Sequence, residues 1–304
     1  TILDGDANGP AATFDVVLVT SKLAGMTIIN GSGNVDGEGG GLYCYRAQLD
    51  IDNCWIRDNA ADKGAGIYAE NSNLSLTDSK VTSNDATNSG GGVFFVNSDL
   101  DATRTTIRNN SAANGGGIYL NSTSPTITRC EITDNSASSN RQRGGGIYCV
   151  ASSNPVIEYS TLANNSASEG GAILTYINCH PQVHNSILWG NSPNQIEFRS
   201  RGTSNQVTIG YTDIEGGLGG IHRQPWHAAG RGKQRLLDDL REPGPFPGYR
   251  RHRLLQAVHD LHGQDQVEVF GAPVFFGGGC DLRGDLARAL ASPEFNAGLG
   301  ELPE

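Results

Sequence analysis

The chain has 304 residues, a formal net charge of −10 and 41 glycines, about 13% of the sequence against about 7% in ordinary proteins. With 37% apolar and 18% charged residues it is not a disordered polyampholyte, and no apolar run approaches the roughly 20 residues of a membrane span. The acidic balance also argues against nucleic acid and anionic membranes as partners, because phosphate binding needs a basic surface.

Large side chains are scarce. One Met and nine Phe are too few for a conventional globular core of this length, so we expect a thin, repetitive core of Ile, Val, Leu and Ala. The six cysteines show no CxxC pair and no Cys/His metal spacing, which argues against a zinc module. Cys54 and Cys130 are expected to be small core residues rather than disulfide partners.

A repeat begins after an opening segment, residues 1–30. A Gly-Gly-Gly-Ile-Tyr theme recurs at intervals of 25, 26, 25, 29 and 26 residues. This period predicts a solenoid, in which each repeat packs only on its neighbours. The small residue before the aliphatic one falls at Gly41, Gly66, Gly92, Gly117, Gly146 and Ala172.

Each repeat continues with alternating apolar and polar positions, which is strand periodicity. It predicts coils of three short strands, with successive coils joined by parallel ladders about 4.8 Å apart. One position is Asn in all six repeats, and Asn can donate to one neighbour and accept from the next. We therefore expect a buried ladder of Asn59, Asn84, Asn110, Asn135, Asn165 and Asn191. The glycines are expected at a corner that needs positive φ.

These motifs resemble the right-handed parallel β-helix superfamily that includes pectate lyases. More narrowly, they are similar to the repeats of polymorphic outer-membrane proteins, which carry Gly-Gly-Ala-Ile and Phe-x-x-Asn. The first motif stands at Gly170–Ile173, and the second appears with an aliphatic residue in place of Phe, as in Ile56–Asn59. The resemblance implies an all-β solenoid of about eight coils over residues 1–217.

The sequence after residue 217 does not repeat. From His222 onward there is no Thr and no Ile, and we expect residues 218–304 to be a capping or mobile segment. Short helices are predicted over Arg235–Leu240, Arg250–His262 and Leu282–Ala291.

A charged column is the best candidate for chemistry. Asp78, Arg104 and Arg129 recur at one outward position on consecutive coils, so they are candidate catalytic residues if the chain is an enzyme. The alternative is a solvated face with weak cross-strand pairs. Ligand-binding candidates on the same outward positions are Trp55, Arg57, Lys80, Arg108, Glu131 and Tyr159.

No metal site is predicted, because no column stacks carboxylates on adjacent coils. Calcium would be expected only for a lyase, which the superfamily resemblance implies would act on acidic polysaccharide with an Arg or Lys as base. The hydrolases of the superfamily carry an Asp pair and a Gly-His-Gly. Here the one Asp-Asp, Asp238-Asp239, lies in the tail and Gly-His-Gly is missing.

A second outward column follows the glycines. It could form a platform for sugar rings, a dock for the C-terminal segment, or a set of rings that pack on one another. If the rings were left bare they would form a patch of several hundred Å², so we expect something to cover them. The column consists of Tyr43, Tyr68, Phe94, Tyr119 and Tyr148.

Two functions are therefore expected. The outer-membrane resemblance implies a non-catalytic extracellular or cell-surface module that is adhesive or binds a polysaccharide or cell-surface glycan. The alternative is a polysaccharide lyase or glycoside hydrolase that works along the charged face.

Overall fold

The computed structural model describes residues 1–17, 19–137, 143–199, 205–223, 257–261 and 265–270. These residues form four sheets; successive coils run through sheets B, C and A in that order, and four coils add a strand of sheet D after sheet A. Sheet A contains Ile2–Asp4, Thr27–Ile29, Trp55–Arg57, Lys80–Thr82, Thr106–Arg108, Glu131–Thr133, Thr161–Ala163, Ile187–Trp189 and Asp213–Ile214. Sheet B contains Ala12–Asp15, Leu42–Tyr45, Ile67–Glu70, Val93–Val96, Ile118–Asn121, Ile147–Val150, Ile173–Tyr176, Ile196–Arg199 and Ile221–Arg223.

Sheets C and D complete the coils. Sheet C contains Ser21–Ala24, Gln48–Asp52, Asn73–Thr77, Asp99–Thr103, Thr126–Thr128, Val156–Glu158, Gln182–His184, Gln206–Gly210, Asp265–Phe270 and Ala257–Leu261. Sheet D contains Ala60–Lys63, Asp85–Ser89, Ser111–Ala112 and Ser136–Ala137. A 3₁₀ helix covers Gly217–Gly220. The predicted all-β parallel solenoid of about eight coils is confirmed.

The core is as thin as the composition predicts. Equivalent residues of successive coils pair in register, as in Val81 with Ile107 and Ile107 with Ile132, and all three are fully buried. Each strand presents alternate side chains to the interior, so the core is a set of parallel aliphatic columns. The cysteines in the described residues are free and buried, in agreement with the core role expected for Cys54 and Cys130.

Most of the described corners between sheets B, C and A turn in a similar way. One residue adopts positive φ, such as Asn71 between sheets B and C or Asp78 between sheets C and A, and the next residue is buried; the corners at Ala151–Ser152 and Ile177–Asn178 have two positive-φ residues instead of one. The N–H of that buried residue lies outside the strand ladder and needs another acceptor. A side chain of the next coil supplies it, as when the Cys54 N–H donates to Ser79 Oγ at 3.0 Å.

The asparagine ladder occupies the corner between sheets A and D. Asn84 Nδ2 donates to Asn110 Oδ1 at 3.0 Å, and Asn110 Nδ2 donates to Asn135 Oδ1 at 3.0 Å. Asn110 Nδ2 also donates to the Val81 carbonyl at 2.9 Å. All six members are at most 6% exposed, so the predicted buried ladder is confirmed.

The glycines close the coil between sheets D and B. The first glycine of a triplet has positive φ, 66° at Gly90. The second and third positions are tightly packed, because a Cβ on Gly91 would lie 2.3 Å from the Ser111 carbonyl oxygen, and only the small side chains of Ala65 and Ala172 replace glycine there in other coils. The corner therefore favours glycine for both backbone conformation and close approach.

The described part of the tail adds strands to the last coil. Asp265–Phe270 pairs in parallel with Gln206–Gly210, and Ala257–Leu261 pairs antiparallel with Asp265–Phe270. The helix expected over Arg250–His262 is therefore wrong at Ala257–Leu261, because an open sheet edge offers unpaired backbone groups that a strand satisfies. The helices predicted over Arg235–Leu240 and Leu282–Ala291, and the Asp238-Asp239 pair, lie outside the described residues. The division at residue 217 stays a prediction.

No helix within the described residues is long and apolar enough to cross a membrane.

Candidate functional site

The predicted site residues all lie on one surface, which we call the sheet A face. It consists of the outward side chains of sheet A and the positive-φ residues at the corner between sheets C and A. Register places Trp55 opposite Lys80, and Arg57 opposite Thr82, on neighbouring strands. The same register continues through Thr106 to Glu131. The face is built from short strands and tight corners, so its side chains are held at fixed coil spacing.

Asp78 and Arg104 form a two-pronged ion pair at the corner. Arg104 Nε donates to Asp78 Oδ1 at 2.6 Å, and a terminal guanidinium nitrogen donates to Oδ2 at 2.7 Å. These hydrogen bonds raise the pKa of Arg104 and lower the pKa of Asp78. Both side chains are about half exposed, which makes this a screened surface pair.

Arg129 does not join that pair. Its guanidinium carbon lies 5.7 Å from the centroid of the Tyr159 ring, in cation–π geometry, and Tyr159 is 55% exposed. The predicted column of three is thus divided into an Asp78–Arg104 pair and an Arg129–Tyr159 pair.

Trp55 combines a hydrogen bond and two cation–π contacts on this face. Its indole is 44% exposed, and its Nε1–H donates to Thr82 Oγ1 at 2.8 Å. The Arg57 guanidinium carbon lies 4.7 Å from the ring centroid and the Lys80 Nζ 6.0 Å from it. Arg57 also pairs with Asp58. The ring is therefore fixed by a neighbouring coil and bordered by cations while much of its surface stays open.

Three cations of the face have no ion-pair partner among the described residues. They are Lys80, Arg108 and Arg129, and Glu131 of the same face pairs with none of them. Register places Arg108 opposite Thr82 on one side and Thr133 on the other. A chain with net charge −10 thus presents unpaired positive charge on this surface.

The column of aromatic rings on sheet B, which we call the ring column, is stacked and largely buried rather than open. Tyr43, Tyr68, Phe94 and Tyr119 stack with centroid distances of 5.5, 5.2 and 4.7 Å, and Tyr148 meets Tyr119 edge-on at 5.3 Å. Tyr68, Phe94 and Tyr148 are at most 8% exposed. Burial raises the pKa of Tyr148 to about 12.

The rings are covered by each other and by the glycine turn. A Cβ on Gly90 would lie 2.7 Å from the Phe94 Cβ, so the turn backbone rests on the ring-bearing residue. Mutual packing is therefore the alternative that the geometry favours. A sugar platform on this column lacks the open ring faces that it would need.

Sequence reasoning overlooked three exposed apolar residues at the far end of the sheet A face. Ile187 is 45% exposed, Trp189 37% and Tyr211 58%. They occupy outward positions of the last coils, and Ile187 stands in the same column as Trp55. The sequence signal that could have identified these three residues is the outward register, which places any side chain at these positions on the surface.

The described residues contain no group of three or more His, Cys, Asp or Glu side chains placed to hold a metal ion.

Comparison with known proteins gives one match. A family model described as the right handed beta helix region matches residues 40–210, more than half of the chain. No curated protein and no solved structure matches the chain. The matched residues include Trp55, Arg129 and Tyr159 and therefore much of the sheet A face. The match supports a β-helix and does not reach the narrower pectate-lyase or outer-membrane resemblance.

Proposed function

The chain belongs to the right-handed β-helix family, and on that premise we propose that it is a non-catalytic module that binds carbohydrate on the sheet A face. Its similarity to the repeats of polymorphic outer-membrane proteins supports a place outside the cell or on the cell surface, where such a module would bind a polysaccharide or a glycan and act in adhesion.

The observation that carries this proposal is the geometry of Trp55. Sugars present apolar C–H surfaces that stack on aromatic rings, while their hydroxyls need polar partners at the ring edge. Trp55 offers an open indole, and the Nε1–H bond to Thr82 holds it in place without ligand. A ring fixed beforehand loses less entropy on binding. Arg57 and Lys80 supply hydrogen-bond donors beside it.

The length of the face suits a polymer. Tyr159 provides a second open ring beyond Trp55 on the same surface, with Arg129 beside it. Between them lie the outward residues of intermediate coils, about 4.8 Å apart. Lys80, Arg108 and Arg129 would contact carboxylate or hydroxyl groups of successive sugar units.

A role in binding fits Arg104 better than a role as general base. A general base must give up its proton near the working pH, whereas the Asp78 hydrogen bonds raise the pKa of Arg104 further. Arg104 and Asp78 bond to each other and present one polar pair at the corner between sheets C and A.

Binding of the purified chain to immobilised polysaccharides tests the proposal. The panel contains neutral galactomannan and xyloglucan and acidic polygalacturonate, alginate and chondroitin sulfate. Trp55→Ala is expected to weaken binding to whichever polymer is retained by about fivefold or more, since sugar stacking on one ring is worth about 1 kcal/mol or more. Trp189→Ala, at the far end of the same sheet, is the matched control and should bind normally. Equal binding by the two variants would contradict the proposal.

A lyase is the second candidate, favoured by the unpaired Arg108 and Arg129. In β-elimination a base removes the C5 proton of a uronate, the O4 glycosidic oxygen leaves with the bond electrons, and a C4–C5 double bond forms. Ultraviolet absorbance of that product, measured with and without calcium, separates the two functions. Turnover that Arg129→Ala or Arg104→Ala abolishes, with folding intact, would replace the binding module by an enzyme.

A further inference from the structure

An apolar patch lies at the C-terminal end of the sheet A face. We call Ile187, Trp189 and Tyr211 the distal patch. Ile187 and Trp189 share one strand, and Tyr211 is at the corner that precedes the next strand of the sheet, Asp213–Ile214. Their exposed fractions are 45%, 37% and 58%. Adjacent large apolar side chains on a solenoid surface indicate a surface that another element covers.

One polar atom beside the patch also indicates that another segment covers this surface. Asp213 lies opposite Ile187 on the neighbouring strand. Its Oδ1 is shielded from solvent and has no hydrogen-bond partner among the residues that the structure describes. A buried acceptor without a donor is costly, so a backbone or side-chain N–H from a covering segment would stabilise it.

The path of the chain brings a specific segment to this place. Asp265–Phe270 is the next strand after Gln206–Gly210 in sheet C, and Phe270 pairs with Gly210. Gly210 is followed directly by Tyr211. The described strand therefore ends at Phe270, one coil beyond Gly210 and about 4.8 Å along the solenoid axis from the coil that carries Tyr211.

The segment that starts there has the sequence of a covering element. Residues 271–304 contain Leu282, Leu286 and Leu290 at intervals of four, the spacing of one helical face. Such a stripe must be buried against another surface to stabilise a helix of this length. We propose that this stripe docks on the distal patch, so that residues 271–304 cover the last coils of the sheet A face and leave the region around Trp55 open.

A spin-label experiment on the full chain tests the proposal. A nitroxide is attached to Cys280, and attachment is confirmed by mass spectrometry. The other five cysteines are buried, and burial raises the pKa of Cys44 to about 12 and of Cys130 to about 11, which keeps their thiols unreactive. The indole N–H signals are then recorded and assigned with Trp→Phe variants.

The expected result is selective. The Trp189 signal should lose most of its intensity, and the signal should return when the nitroxide is reduced. Trp55 is the internal control: five coils separate its strand from that of Trp189, about 24 Å at 4.8 Å per coil, so its signal should stay sharp. A label at Ser292→Cys repeats the measurement from the other end of the segment.

Two variants extend the test to the leucine stripe. Leu286→Asp should restore the Trp189 signal, whereas Arg288→Asp, on the opposite helical face, should leave it broadened. An unaffected Trp189 signal, or the same result for both variants, would overturn the proposal. Broadening that arises only when labelled chains are mixed with isotope-enriched unlabelled ones would assign the patch to a second copy and overturn it as well.

Discussion

Two sets of aromatic residues on this solenoid differ in the one property that decides their role. On sheet B an aromatic ring recurs on five successive coils, and the rings bury one another at stacking distance. On the sheet A face Trp55 and Tyr159 stand among polar neighbours and remain 44% and 55% exposed. In a solenoid, a side chain that repeats in register has an identical neighbour above and below. A side chain that breaks the repeat has no such partner and stays available to a ligand.

Two asparagines at adjacent positions in the sequence show the same contrast. The Asn110 position is Asn in six successive coils, and Asn110 is buried with its amide bonded to both neighbours. Asn109, directly before it, alternates with Asp and Ser in other coils and is exposed. Repetition along the axis, rather than residue type, therefore distinguishes buried structural positions from exposed surface positions.

The largest expected effect comes from breaking the ring column at its middle. Phe94→Ala removes a nearly buried ring that stacks on both Tyr68 and Tyr119, and it should lower the free energy of unfolding by about 3 kcal/mol. Chemical denaturation measures the change. Phe94→Leu should cost less, and polysaccharide binding by either variant should be unchanged. A melting curve like that of the unmodified chain would show that the column adds little.

The asparagine ladder should show the next largest effect. Asn110→Ala removes the acceptor of the Asn84 amide and N–H and the donor to Asn135, at roughly 1 to 3 kcal/mol. Asn109→Gly is the matched control, because glycine accepts the positive φ of 54° and loses no ladder bond. Equal denaturation midpoints for the two variants would contradict the buried ladder.

A much smaller effect on stability is expected at Trp55. Trp55→Ala should change the free energy of unfolding by less than about 1 kcal/mol, because the ring is partly exposed and packs on surface side chains. The same variant should lose ligand binding. Calorimetry that finds a loss comparable to that of Phe94→Ala would assign Trp55 to the structural set instead.

The smallest effect is a pH dependence at the Asp78–Arg104 pair. Pairing lowers the pKa of Asp78, so its contribution to stability is present above the unfolded-state pKa of aspartate and is lost as pH falls through the folded-state pKa. Asp78→Asn should therefore make the melting temperature depend slightly less on pH between about pH 5 and pH 2. A carboxyl titration by NMR in Arg104→Ala should show the Asp78 pKa moving up. An unchanged titration would mean that the pair does not form in solution.

Much of the fold follows from sequence period alone. Intervals near 25 residues, the invariant Asn59-to-Asn191 positions and the glycine triplets predict the coils, the ladder and the corners, because each is a local requirement repeated along one axis. The outward register that brings Trp55, Lys80 and Arg104 to one surface follows from strand alternation.

Tertiary structure decided what the outward residues do. Sequence placed Asp78, Arg104 and Arg129 in one column, but side-chain reach paired the first two and turned Arg129 to Tyr159. It also left the ring column with three alternatives, and the tertiary structure buries those rings against each other and under the glycine turn. Period fixes which residues are neighbours. Exposure and pairing depend on distances of a few ångströms between side chains that no period encodes.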